Sequence, residues 1–380
     1  VGGIAVDSEY IIFVIDTSGS MQSAAWNQVV RKVDETLSIY PRVKGIQVMN
    51  DMGDYMFPQY RGTWLEAGAD AVPGARRPAD LLMRADIDRL SERSDWIGLA
   101  YLVGHLTAIA TTGWLLWLAT PGWCTVPALV LHGIVISYLF SPVHECSHYT
   151  AFKTRWLNEA AFWLFCTVYI VAPNRFRYFH LSHHRYTMIR GKDPEIIMLF
   201  DGVSGWLRYV SGYDFWWRNV WRIVRHATLG PDPSDIRGAM HVPRHKYGLL
   251  VREARILLAV YCAIAIVAIW SGMGLWLLWL WVVPRLIGEP VQRMLRVAEH
   301  TGCAESAEIT SNTRTTLTTL PLRWIGWQMP FHVEHHMFPN VPFHALAQVH
   351  DRVRDRITHL ETDGYVRGQM RIVRGLASST

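Results

Sequence analysis

The chain has 380 residues, half of them hydrophobic and only 18% charged, and it contains 18 Trp; that apolar and aromatic load argues against an ordinary soluble protein. The formal net charge of +5 is modest and calls for no nucleic-acid partner. Five cysteines, with Cys124, Cys166 and Cys262 in or beside apolar segments, form no paired framework and give no sign of an oxidising compartment.

The first fifteen residues lack the basic start, apolar run and small-residue cleavage site of a secretory signal, so no signal peptide is expected. Tyr10–Ile15 is a continuous apolar run, the pattern of a strand buried on both faces. Trp26, Val29, Val30, Val33 and Leu37 repeat at helical spacing and stop before Pro41, and Gly45–Met49 reads as a second strand. Between the first strand and this helix stand Asp16, Ser18 and Ser20 in a DxSxS arrangement. On those residues, positions 8–66 resemble the start of a von Willebrand factor A domain, which implies a Mg2+ site completed by a Thr and an Asp from later loops. Neither can be placed before the first apolar span, and one βαβ unit cannot cover both faces of a sheet. Residues 1–66 are therefore expected to be a truncated fragment of that domain that binds no Mg2+. Residues 67–93, with Pro73, Gly74 and Pro78, read as a linker, and 94–380 as the main domain.

Four segments are apolar enough to suggest crossings: Ile97–Ala119, Gly122–Phe140, Ile256–Ser271 and Gly274–Ile287. They form two hairpins, the last pair a little short of the ~20 residues a bilayer core needs. Trp156–Ala172 is ambiguous. If it crossed, the histidines on either side of it would lie on opposite membrane faces, so it is expected to lie in the interface or half-inserted. The connectors inside the hairpins carry no Lys or Arg, whereas residues 175–252 carry thirteen. That asymmetry places the histidine side and both termini in the cytoplasm.

Nine histidines follow these spans in short clusters: His144 and His148 in HECSH, His180, His183 and His184 in HLSHH, His300 in AEHTG, and His332, His335 and His336 in HVEHH. Residues three and four apart share a helix face, and imidazole suits iron, zinc, copper or nickel. Nine ligands are too many for one ion and suit two. HECSH also matches the HExxH of zinc metalloproteases letter by letter, with Glu145 in the position of the general base. That reading leaves six further histidines unexplained.

Residues 94–360 resemble the membrane fatty acid desaturases, whose histidine boxes read HxxxH, HxxHH and HxxHH. Asp193-Pro194-Glu195, Ala298-Glu299-His300, Thr313-Arg314-Thr315 and the run from Glu334 to Pro339 add to the match. The resemblance implies two non-haem Fe ions held by the box histidines and His300, O2 as co-substrate, and electrons from a separate carrier of ferredoxin, rubredoxin or cytochrome b5 type. Glu145, Asp193 and Glu334 are read either as carboxylates orienting imidazole N–H groups or as solvated or salt-bridged residues. His105 and His132 lie within spans, where they line the bundle interior or bond between helices. His226, His241, His245, His344 and His350 are expected at the surface. Cys146 is expected to face away from the ligands, and Trp216, Trp217 and Trp221 to cover the site or lie on headgroups.

The expectation is thus an all-α integral membrane protein with four transmembrane helices and a cytoplasmic helical cap around a dimetal site, preceded by a short α/β fragment. Its expected activity is O2-dependent desaturation of a fatty acyl chain of a lipid. The nearest alternative is hydroxylation or ketolation of an alkane, fatty acid or carotenoid at the same centre. More remote are the zinc protease and a Mg2+-dependent adhesion module.

Overall fold

The computed structural model describes Tyr10–Ile15, Gly45–Asn50 and residues 81–378 apart from 197, 198, 238, 239 and 241. The chain divides into two units, Val1–Arg77 and Pro78–Thr380. In the first, β1 (Tyr10–Ile15) and β2 (Gly45–Asn50) pair in parallel, Tyr10 opposite Gly45 and Ile15 opposite Asn50. Both strands fall where the apolar runs predict them. The helix expected around Trp26–Leu37, and Asp16, Ser18 and Ser20, lie outside the described residues.

The second unit opens with α1 (Arg84–Leu90), inside the stretch read as linker. Leu82 and Leu90 are buried against Phe331, Val333, Met337 and Val349, so this segment packs on the main body. Next, α2 (Asp95–Ala119) is capped by Ser94, whose Oγ accepts from the Ile97 amide at 3.4 Å. After it, α3 (Thr125–Ser137) runs through Tyr138 and Leu139 into α4 (Phe140–Ser147), carrying the second predicted span past Phe140 into the first histidine pair.

The ambiguous segment is α5 (Arg155–Tyr169), and it ends in a sharp turn. Ile170 sits at φ 62°, and α6 (Pro173–Tyr186) leaves at 98° to α5. A β-branched residue at positive φ is strained, and the surrounding helices supply partners for carbonyls that the turn frees. Trp281 donates to the Val168 carbonyl at 2.7 Å, Tyr261 to that of Thr167 at 3.0 Å, and Asn219 to that of Ile170. On the other side, the buried Glu253 carboxylate accepts from the amides of Asn174 and Arg175 at 2.6 and 2.9 Å, capping the positive end of α6. The turn aims α6, with its three histidines, across the base of the bundle.

Then come α7 (Gly202–Val210), α8 (Tyr213–Leu229), α9 (Pro233–Arg237) and the apolar α10 (Tyr247–Trp270). A further helical run is built from α11 (Gly274–Leu277), a π-helical turn at Leu278–Val282 and α12 (Val283–His300). The fourth apolar span in the sequence ends at Ile287, and the helix runs beyond it. It continues because Arg285, Glu289 and Arg293 lie one turn apart on a single buried face and pair with one another, so these charges do not stop the helix. Close approach of α12 to α3 rests on two glycines. A Cβ on Gly288 would stand 1.9 Å from the Gly133 carbonyl oxygen, and one on Gly133 would stand 2.5 Å from that of Pro284.

The remainder comprises α13 (Ile309–Asn312), β3 (Arg314–Thr316), α14 (Leu320–Ile325), α15 (His332–Met337), α16 (Leu346–Val353), β4 (His359–Glu361) and α17 (Gly364–Ser378). β3 and β4 pair in parallel. Among the described residues, three helical stretches are long and apolar enough to cross a membrane: Asp95–Ala119, Thr125–Ser147 and Tyr247–Trp270; the bent α5–α6 pair qualifies only if taken as one span. Large apolar side chains such as Val103, Trp114, Ile266 and Trp270 face outward on these helices, as a surface that meets lipid does.

Candidate metal centre

Four helices deliver the nine histidines. α4 carries His144 and ends on His148, α6 carries His180, His183 and His184, α12 ends on His300, and α15 carries the last three. They gather into two groups: His144, His148, His180, His184 and His335 in one, and His183, His300, His332 and His336 in the other. Within each group, one ligand atom per residue lies within 4.8 Å of all the others. In the first, His180 Nε2 is 2.7 Å from that of His148 and 3.0 Å from that of His184, which is 3.1 Å from that of His335. In the second, His332 Nε2 is 3.1 Å from that of His300 and 3.2 Å from that of His336. The groups abut, His184 stacking on His336 with centroids 4.1 Å apart.

The partition follows helix geometry. Pairs four residues apart (144 and 148, 180 and 184, 332 and 336) stay in one group because they sit one turn above each other on one face. His183 and His335 each precede an i+4 partner by one residue, which turns them about 100° around the helix, and each joins the opposite group.

Eight of the nine are buried, and His184 is partly so. Burial lowers the imidazolium range of His300 and of His335 to about 3, with repulsion from His183 adding to it in both. These two rings are therefore neutral, the form that binds metal ions.

Beyond the rings, Asp193 receives His183 Nδ1 at 3.0 Å and is itself held by the amides of Met188 and Glu195, each at 2.8 Å. The Asn312 carbonyl accepts from His300 Nδ1 at 3.1 Å. Thr187 donates to the His183 carbonyl at 2.8 Å, so its oxygen is set to accept from His336 Nδ1 at 3.2 Å. Each of these bonds fixes a tautomer that points Nε2 inward.

Of the three carboxylates singled out in the sequence, only Asp193 touches a clustered histidine. Glu334 binds His350 and Thr315, and Glu145 accepts from the Phe343 amide at 3.0 Å. Thr187 and Asn312 were not anticipated; the one local signal is that Thr187 stands one turn beyond His183. Glu299 lies 3.6 Å from His332 Nε2.

His226 and His350, expected at the surface, are buried. Amphipathic helices turn them inward, where His226 meets Asp235 at 3.2 Å and His350 meets Glu334. His105 and His132 bond between helices, His105 to Val135 and Trp327, His132 to Thr112 and the Leu280 carbonyl. Cys146 joins the apolar core. Trp217 and Trp221 are exposed and stacked, and Trp216 packs over Arg285. His241 lies outside the described residues.

Comparison with known proteins places this geometry in context. Residues 121–362 match the profile of the family described as Fatty acid desaturase. A sphingolipid delta(4)-desaturase of Drosophila melanogaster is 26% identical over 262 residues, covering 67% of this chain and 72% of the relative. A sphingolipid delta(4)-desaturase/C4-monooxygenase of Rattus norvegicus is 27% identical over 226 residues, 58% of this chain and 62% of the relative. That of Homo sapiens is 26% identical over 308 residues, 75% and 80% of the two.

Proposed function

The chain belongs to the fatty acid desaturase family, and from that premise we propose that it is an integral membrane, O2-dependent diiron oxidoreductase that introduces a double bond into an acyl chain of a lipid. The observation that carries the reading is the pair of imidazole groups, five and four, each drawn to one point. The donor set fits two irons: neutral nitrogen ligands suit a first-row metal, and His144 is buried with neither ring nitrogen hydrogen-bonded, as a group reserved for a metal would be.

His144, His148, His180, His184 and His335 hold one ion; His183, His300, His332 and His336 hold the other. When bound, the two irons supply the reduction of O2 to two waters, with two electrons and two protons from the acyl C–H bonds and two of each delivered through an external carrier and the solvent. The protein orients and shields. Asp193, Asn312 and Thr187 set the tautomers of His183, His300 and His336, and the buried walls keep bulk water away from the reacting carbon. Glu145 is occupied by the Phe343 amide, which argues against a metalloprotease base.

In the membrane, we take Ile97–Ala119, Gly122–Phe140, Ile256–Ser271 and Gly274–Ile287 as the four crossings, with the α5–α6 turn half-inserted. The thirteen Lys and Arg of residues 175–252 support a cytoplasmic histidine side and termini, where a carrier of ferredoxin, rubredoxin or cytochrome b5 type has access. The domain reading stands with this: 1–66 a truncated fragment, 67–93 a connector whose end packs on the body, and 94–380 the enzyme.

Hydroxylation is the second reading, favoured by the rat and human relatives, whose names carry both activities. Both chemistries begin by removing one hydrogen and diverge afterwards. The test is iron content and product analysis on the purified protein, supplied with O2 and a reducing carrier. About two irons per chain and new double bonds support the proposal; new hydroxyls support the second reading; one zinc and no lipid oxidation overturn both.

A further inference from the structure

α8 presents three faces rather than two. Asn219, Ile223, His226 and Ala227 are buried against the body. On another side, Tyr213, Trp217, Val220, Trp221 and Val224 fall within about 100° of one another at 3.6 residues per turn. All five are exposed, Trp217 by 65% and Trp221 by 47%, and the two indoles stack with centroids 6.3 Å apart. Arg218, Arg222 and Arg225 line one edge of this apolar face, Arg218 exposed and the other two partly so. A helix bathed in water turns its polar residues outward. On α6, by contrast, Arg185 alone is exposed.

The contacts of α8 set its depth. Arg255 Nε donates to the Ala227 carbonyl at 3.0 Å, and Arg255 directly precedes Ile256, where the third apolar span begins. Ile223 packs with Leu257 of that span and with Ala172, and Asn219 donates to the Ile170 carbonyl at the end of α5. α8 therefore meets α10 where charged sequence gives way to apolar sequence, the level of a bilayer's headgroups. Ile256 and Val260 of α10 are themselves exposed, so the apolar face of α8 continues onto a helix long and apolar enough to span. Tyr and Trp are enriched at that level, and arginines flanking an apolar face complement anionic headgroups.

Resting on the reading of α10 as a membrane span, we propose that α8 lies in the plane of the bilayer surface, with its Tyr213–Val224 face among the outermost acyl carbons and its arginine edge on the phosphates of anionic lipids. That seating braces α6, the helix of His180, His183 and His184, at two points. Asn219 holds the turn before it, and Asp235, 3.7 Å from Arg222, accepts from Arg175 at 2.7 Å.

The test is site-directed spin labelling of the full chain in phospholipid nanodiscs, after replacement of the exposed Cys124 and Cys262 by Ala. Single labels go on Val220→Cys, on Val224→Cys and, as a marker inside the span, on Ile266→Cys. Access of O2, which partitions into lipid, is compared with access of a water-soluble nickel chelate. O2 should reach the labels at 220 and 224 and the chelate should not, at a depth of about 5–10 Å, with 266 deeper. Chelate access at 220 and 224 while 266 stays shielded overturns this proposal alone, whereas chelate access at 266 as well sinks the membrane reading beneath it. Dipolar broadening between labels at 220 on two chains would overturn it in favour of a second copy of this chain.

A bimane fluorophore on Val220→Cys gives the charge arm. Its quenching by phosphatidylserine and by phosphatidylcholine, each with a nitroxide near the top of an acyl chain, reports which lipid gathers at α8. Phosphatidylserine should be the stronger quencher, and Arg218→Gln, at an exposed position, should lower that preference about fivefold. Equal quenching by the two lipids in the parent, or an unchanged preference in the variant, overturns the assignment of the arginine edge to anionic lipid.

Discussion

The two halves of the histidine centre are built differently. In the four-histidine group, three outer nitrogens have protein partners: His183 on Asp193, His300 on the Asn312 carbonyl, His336 on Thr187. In the five-histidine group, the Nδ1 atoms of His144, His184 and His335 have none, and ring packing does the orienting. His144 stands edge-on to His180 and His335 at 4.2 and 4.4 Å, and Phe176 stacks on His180 at 5.5 Å. Hydrogen bonds fix a tautomer and a direction, whereas packing fixes only a position. The four-histidine side is therefore the pre-organised one, and the five-histidine side gains its hold from the extra ligand.

The heaviest blow to this comparison is the double substitution His335→Ala, His336→Ala, which removes one ligand from each group. Iron analysis should fall from about two per chain to well below one, and lipid oxidation should vanish; retention of both irons would contradict the assignment. Gly288→Ala forces apart the two helices that carry ligands of both groups. Its Cβ cannot coexist with the Gly133 carbonyl, so His300 on α12 and His144 and His148 at the end of the helix continuous with α3 are displaced relative to one another. Iron analysis should show loss from both groups, and two irons held as tightly as in the parent would show that this close approach does not position the centre.

Asp193→Asn weakens the anchor of His183 without emptying its place. Outer-shell changes of this kind cost about 10- to 100-fold in metal affinity or activity, so chelator titration should show one iron released far more readily than in the parent. An unchanged titration would mean that Asp193 only braces the Met188 and Glu195 amides. Thr187→Val is the gentlest probe. It removes one neutral hydrogen bond from His336, about 1 kcal/mol, and should raise the chelator sensitivity of the same iron by no more than about tenfold. An equal effect on the other iron would show that Thr187 supports the backbone of α6 instead.

Much of the unit was legible in the sequence. Apolar runs marked α2, α3 and α10, and the three boxes named eight of the nine clustered residues. His300 alone carries no periodic signal; it reached the list through its AEH neighbourhood. The buried positions of His226 and His350 were missed because an isolated histidine reads the same on either face of an amphipathic helix. The run of α12 beyond Ile287, where the fourth apolar span ends, is not legible in the sequence, because only the mutual pairing of Arg285, Glu289 and Arg293 keeps those charges inside.

By itself, then, the sequence determined what depends on neighbours along the chain: which segments are helical, and which histidines share a face at i and i+4. Tertiary structure alone decided the division into five and four, the 98° turn between α5 and α6, and the partners Asp193, Asn312 and Thr187 as they meet the rings. Helix periodicity fixes directions around one axis. Which directions meet depends on how the axes cross, and that is set by contacts between residues far apart in the chain, such as Gly133 with Gly288 and Glu253 with the start of α6.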